Sequence, residues 1–236
     1  MKMYGPNQLD PVVAEPKKKT NADIVFCLDA TGSMHRGIDG LKGEISAFVD
    51  GLQTAAQVDF RLRLIAFRDL QDPTNVGPPW MITPFTTSVD KFRNELASVV
   101  ADGGGENKGA ESALDALYFG IHSEWRSSKT HKTIVLFSDD NTHPTLHSST
   151  YSRPDNDVYR VIQDLQTLKH VLLFMVVPKY PVYEQIEQSL QCAERKIAAY
   201  FFPADDERYN GLAGIDWKSL LNMIGTAVSK SSLTVE

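Results

Sequence analysis

Ile24-Val25-Phe26-Cys27-Leu28 is an unbroken apolar run. A run of that length predicts a strand buried on both faces. Thr133-Ile134-Val135-Leu136-Phe137 and Val171 to Val177 repeat the pattern, the second stopped by Pro178. Val58-Phe60-Leu62-Leu64 alternates with Asp59, Arg61 and Arg63, then runs into Ile65-Ala66-Phe67. This predicts a strand with one face less buried. Ile197 to Phe202, ended by Pro203, predicts another. Met81 to Phe85 predicts a short edge strand, because Pro84 is tolerated only at an edge or a strand end.

Helical spacing fills the intervals. Ile38, Leu41, Ile45, Phe48, Val49 and Leu52 recur at three- and four-residue steps. Ser88 predicts an N-cap for a helix carrying Val89, Phe92, Leu96 and Val99. Further helix faces are Ala110, Ala113, Leu114, Leu117, Ile121 and Trp125; Val158, Val161, Ile162, Leu165 and Leu168; Tyr183, Ile186 and Leu190; and Trp217, Leu220, Leu221 and Ile224. Buried strands alternating with amphipathic helices predict an α/β fold. The expected architecture is a Rossmann-like three-layer α/β/α sandwich around a mostly parallel, six-stranded sheet.

The remaining stretches read as loops. Met1 to Asn21 is polar, with prolines and Lys17-Lys18-Lys19, and is expected to be a solvated leader; a docking arm is the alternative. The domain is expected to span residues 22–230, with a tail at 231–236. Asn141 to Asp157, rich in Ser, Thr, His and Pro, is expected to be a long surface loop, and Asp205 to Asp216 an acidic one. Asp102-Gly103-Gly104-Gly105-Glu106-Asn107-Lys108-Gly109 precedes a helix, where the dipole favours anions. It lacks the Gly-Lys-Ser/Thr ending of a phosphate loop and no clear strand leads into it.

Composition narrows the classes. The 236 residues suit one α/β domain with insertions, and 42% hydrophobic content allows a sizeable core. A net charge of −6 argues against a nucleic-acid binder. No apolar run is long enough to span a membrane, and no apolar h-region marks a signal peptide. Cys27 and Cys192 are expected to stay reduced in a cytoplasmic protein.

The chemistry gathers at Asp29-Ala30-Thr31-Gly32-Ser33, directly after the first apolar run. A strand, an oxygen-rich turn and a helix form a ligand site, because open α/β sheets bind at the carboxyl ends of their strands. Oxygen-only side chains suit a hard cation such as Mg²⁺, Mn²⁺ or Ca²⁺. Asp139 ends another buried strand on the same edge, and the glycine-rich loop can bring Glu106 or Asn107 to the same centre. The competing explanation is that Asp29 caps the helix while Thr31 and Ser33 satisfy backbone amides. Asp139 at a matching strand end tips the balance toward metal.

These residues resemble a von Willebrand factor A domain with a metal-ion-dependent adhesion site. That family's signature is Asp-x-Ser/Thr-x-Ser after the first strand, a Thr or acid in a later loop, and an Asp after the fourth strand. Asp29-Ala30-Thr31-Gly32-Ser33 and Asp139 match its first and third parts. Phe67-Arg68-Asp69, Gly103-Gly104-Gly105-Glu106 and Ser138-Asp139 are similar to a subgroup with a Gly-Gly-Gly-acid second motif. Here Glu replaces the usual Asp, Asn107-Lys108-Gly109 intervenes, and Glu111 stands where that subgroup has a later Glu. The resemblance implies one short antiparallel edge strand. It also implies Thr31 and Ser33 as direct ligands, with Asp29 and Asp139 acting through waters and hydrogen bonds. Neutral direct ligands leave the cation short of negative charge, so a partner's Asp or Glu can complete the shell. The family further implies a bacterial assembly, beside AAA+ ATPases, chelatases or kinase and phosphatase partners.

Other residues rank lower. Asp69 is read as orienting a loop through Arg68, or as ringing the site. His35, Arg36, Asp69, Asn107 and Asp140 are candidate partner contacts. His143 and His147, four apart around Pro144, are read as a solvated loop rather than a zinc site. The expected function is a non-catalytic, cation-dependent protein-binding module. The alternatives are a metal-assisted phosphoryl-transfer hydrolase and a metal-independent scaffold.

Overall fold

The computed structural model describes residues 20–54, 58–72, 80–103, 110–127, 129–193, 196–204 and 206–232. Six strands form one sheet: β1 Thr20–Asp29, β2 Val58–Phe67, β3 Trp80–Ile82, β4 His131–Phe137, β5 Val171–Pro178 and β6 Lys196–Phe202. The strand order is β3-β2-β1-β4-β5-β6. Every pairing is parallel except that of β3 with β2.

This order has one consequence for function. The chain builds outward from β1 to β2 and β3 on one side, then returns to β4 and builds the other way. The reversal lies between β1 and β4, where open α/β sheets place their ligands.

β1 shows why the strands read as unbroken apolar runs. Ile24, Phe26 and Leu28 face one core; Val25 and Cys27 face the other. The first core packs against α1 Ile38–Thr54, α2 Val89–Ala97 and α6 Trp217–Ser232. The second packs against α3 Ala113–Ile121, α4 Val158–Thr167 and α5 Pro181–Cys192. The three-layer α/β/α arrangement expected from the sequence is therefore present.

Several elements differ from their expected bounds: β1 begins at Thr20, inside the expected leader, α2 ends at Ala97, short of Val99, and α4 at Thr167, short of Leu168. Two further differences have a visible physical reason. The edge strand is Trp80–Ile82, and Thr83 and Thr86 continue along β2 by hydrogen bonds to Leu64 and Leu62. Pro84, lacking an N–H, sits in this irregular extension. The helix expected from Ala110 begins only at Ala113. Glu111 is extended instead and bridges Thr142, whose hydroxyl accepts a hydrogen bond from the Leu114 N–H at 2.9 Å. Its end is also earlier: Trp125 lies beyond α3, its indole donating back to the Ile121 carbonyl at 2.8 Å.

The amino-terminal edge of the sheet is neutralised. Asp23 is fully buried and accepts from Arg61 at 2.7 and 3.0 Å, and from the Arg126 Nε at 2.7 Å. The carboxyl edge is built differently.

Candidate metal centre

After Asp29 the chain turns into a 3-10 helix, Gly32–Arg36. Neighbouring segments hold this turn by its backbone. Ala30 N donates to Phe67 O at 2.8 Å, Gly32 N to Gly103 O at 3.0 Å, and Asp102 N to Ala30 O at 3.2 Å. Arg68 braces the same place, donating to the carbonyls of Ala30 and Val100 at 3.3 Å.

The side chains then converge. Asp29 Oδ1 accepts from the Thr31 N–H at 2.9 Å and the Thr31 hydroxyl at 2.6 Å. Ser33 donates to Asp139 Oδ1 at 2.8 Å, and the Gly211 N–H donates to Asp139 Oδ2 at 2.8 Å. Ser138 donates to Asp29 Oδ2 at 2.9 Å and lies 3.4 Å from Glu111 Oε2. Oxygens of Asp29, Glu111 and Asp139 all lie within 4.8 Å of one another. Among the described residues, no Lys, Arg or His forms an ion pair with any of the three. The contrast with Asp23 at the opposite edge is direct.

Electrostatics follow from that crowding. Burial, then the charge of Asp29, pushes the Glu111 carboxyl well above its usual range. Burial, then Asp29, raises Asp139 to about 7, against the opposing hydrogen bonds from Ser33 and Gly211. Asp140 is also raised, first by burial, while the Asn141 N–H opposes the shift.

A hard divalent cation fits these residues. Thr31 Oγ1 and Ser33 Oγ approach to 3.1 Å. When Thr31 donates to Asp29 and Ser33 to Asp139, both hydroxyl oxygens keep lone pairs that a cation can use. Crowded carboxylates behind them and an oxygen-only donor set match the needs of Mg²⁺, Mn²⁺ or Ca²⁺.

Of the residues singled out by sequence, Asp29, Thr31, Ser33 and Asp139 come together, joined by Glu111. Glu106 and Asn107 lie outside the described residues. His35 and Arg36 are exposed on the 3-10 helix that follows the turn. Asp140 follows Asp139 and turns its Oδ1 to the Asn141 N–H at 2.6 Å. Asp69 is outside the carboxylate cluster. It is buried and meets His143 Nε2 at 2.8 Å and the Gln71 N–H at 2.9 Å.

His143 is therefore paired rather than solvated, and Leu146 in the same loop is buried. Asp115, in α3, accepts the His147 N–H at 2.9 Å. Buried acceptors draw this polar segment against the fold. Ser138 and Gly211 were not among the sequence candidates. Ser138 stood visibly at a strand end; Gly211 acts through its backbone and leaves no side-chain signal.

The family model described as von Willebrand factor type A domain matches residues 23–213. No curated protein matches the chain. Among solved structures, the pilus adhesin SpaC from Lactobacillus rhamnosus GG is 13% identical with a TM-score of 0.56, over 89% of this chain and 31% of the adhesin. A von Willebrand factor type A protein from Catenulispora acidiphila is 14% identical with a TM-score of 0.55, over 90% of this chain and 43% of that one. The SpRpn10 VWA domain is 9% identical with a TM-score of 0.54, over 86% of this chain and 94% of the domain. The chain thus spans less than half of the first two and nearly all of the third. At these identities the likeness concerns the fold.

Proposed function

The chain belongs to the von Willebrand factor type A domain family, and on that premise we propose that it is a non-catalytic, divalent-cation-dependent protein-binding module of a cytoplasmic multiprotein assembly. One observation carries the reading. Three carboxylates meet with no cationic side chain paired to them among the described residues, beside two hydroxyl oxygens 3.1 Å apart. Thr31 and Ser33 would hold Mg²⁺, with Mn²⁺ or Ca²⁺ as substitutes, through those hydroxyls. Asp29, Asp139 and Glu111 would supply charge behind them, and Glu106 is the loop acid proposed to join.

The chain's residues set the binding chemistry. Asp29 and Asp139 orient the hydroxyls by accepting their protons. Placing neutral oxygens in front keeps negative charge low on the open side. A cation so held attracts a carboxylate, so the proposed partner is a protein offering Asp or Glu. His35 and Arg36, exposed beside the turn, add positive charge for such a partner. An AAA+ ATPase or a kinase or phosphatase partner is the associational choice. The cytoplasm suits the exposed free thiol of Cys192. Among the described residues, no helix is long and apolar enough to cross a membrane.

The test is partner capture from native extract, with Mg²⁺ or EDTA, by wild type and Asp29→Ala. Retention by wild type in Mg²⁺ alone is the expected result. Equal retention in all four conditions would replace this reading with a metal-independent scaffold. Metal-stimulated turnover of a phosphoester would replace it with a hydrolase.

A further inference from the structure

Tyr183 approaches the carboxylate cluster from the core side. It lies in the first turn of α5 and is fully buried between that helix and the sheet. Its hydroxyl donates to the carbonyl oxygen of Asp140 at 3.0 Å. A buried phenol needs such a partner, and this one belongs to the turn that carries Asp139.

The same carbonyl is within reach of Ser138. Ser138 Oγ lies 2.9 Å from Asp29 Oδ2, 3.3 Å from Asp140 O and 3.4 Å from Glu111 Oε2, and its side chain also interacts with the Tyr183 phenol. A serine has one proton to give. A carbonyl already accepting a buried phenol competes less well for it. Asp29 Oδ2, the shortest contact and a charged acceptor, then receives the proton. The turn is also tied on its other flank, where Ser138 N donates to Val176 O at 3.2 Å. The β5–α5 segment thus holds both sides of Asp139.

We propose that Tyr183 is a positioning residue of the cation site, directing the single Ser138 proton to Asp29 by occupying the Asp140 carbonyl. Without the phenol, the Ser138 proton divides between Asp29 and Asp140 O, and Asp29 Oδ2 loses its dedicated donor while Oδ1 stays on Thr31. The inference rests on the metal-binding reading above and extends the site to a helix that contributes no ligand to it.

The experiment titrates Mn²⁺ alone into the full chain and follows free ion by electron paramagnetic resonance, beside thermal melts in EDTA. Tyr183→Phe removes the donor and keeps the ring. Its Mn²⁺ affinity is expected to fall about tenfold, the scale of a lost outer partner. Ser138→Ala should show a similar loss, and the double variant no further loss, because Tyr183 acts through Ser138. A lowered melting temperature with unchanged Mn²⁺ affinity in Tyr183→Phe would make the tyrosine purely structural and overturn the proposal. Additive losses in the double variant would overturn it too. If Tyr183→Phe does not fold, unchanged affinity in Ser138→Ala has the same effect. Wild type that binds no Mn²⁺ would instead overturn the metal-binding reading, and this inference with it.

Discussion

Ser33 and Asp139, 106 residues apart, are joined by a hydrogen bond of 2.8 Å. It closes the gap between the ends of β1 and β4, where the strand order reverses. Asp139's second oxygen is held by the Gly211 N–H, so the segment before α6 meets the same carboxylate. One side chain therefore gathers the turn after β1, the turn after β4 and the approach to the last helix.

That arrangement predicts separate effects on binding and folding. Ser33→Ala and Asp139→Ala are expected to weaken Mg²⁺ binding about 10- to 100-fold while leaving a folded chain. Titration calorimetry reads the first quantity and circular dichroism the second. Unfolding of both variants at room temperature would mean that these residues are structural.

Protonation should oppose the metal. Asp139 rises from 3.8 to about 7 in the metal-free fold. The fold therefore holds a proton that the unfolded chain releases between those values. Its stabilising contribution is full below the ordinary value and is lost as pH rises through about 7. In EDTA, the wild-type melting temperature is expected to fall between pH 5 and 8 more than that of Asp139→Asn. Mg²⁺ affinity should weaken by about tenfold per unit as pH drops below 7, for one proton displaced per ion. Melts and titrations across pH test both slopes.

Two glycines enforce the contact between the segment after β1 and the segment before α6. A Cβ on Gly37 would lie 1.8 Å from Gly211 O, and Gly211 itself has φ +63°. Gly37→Ala must push the two segments apart. It is expected to destabilise the fold by about 2–3 kcal/mol, and so to lower the melting temperature by about 4–12 °C. Because Gly211 N holds Asp139, Mg²⁺ affinity should fall as well. An unchanged melting temperature would show that the segments separate freely.

The opposite edge provides a control. Asp23→Asn leaves Arg61 and Arg126 without their buried carboxylate. Breaking such a pair is expected to destabilise by about 3–5 kcal/mol. Urea denaturation measures the loss. Mg²⁺ affinity in the folded variant should match wild type, since Asp23 lies at the amino-terminal edge.

Local pattern alone determined much of this protein. The runs at Ile24–Leu28, Thr133–Phe137 and Val171–Val177 became central strands because a strand buried on both faces needs apolar side chains at every position. Asp29, Thr31 and Ser33 were legible for a related reason: polar oxygens at the end of such a strand have a short turn in which to gather. Tertiary structure decided the rest. Which acids meet depends on strand order, and a side-chain period within one element carries no record of its neighbours. Glu111 reaches Asp29 because residue 111 bridges Thr142 rather than entering α3. Asp69, at another strand end, turns to His143 instead. Gly211 and the Tyr183 hydroxyl join the site from distant segments, one through a backbone amide and the other from within an apolar helix stripe. Sequence periodicity registers neither, because both contacts exist only once the layers have packed.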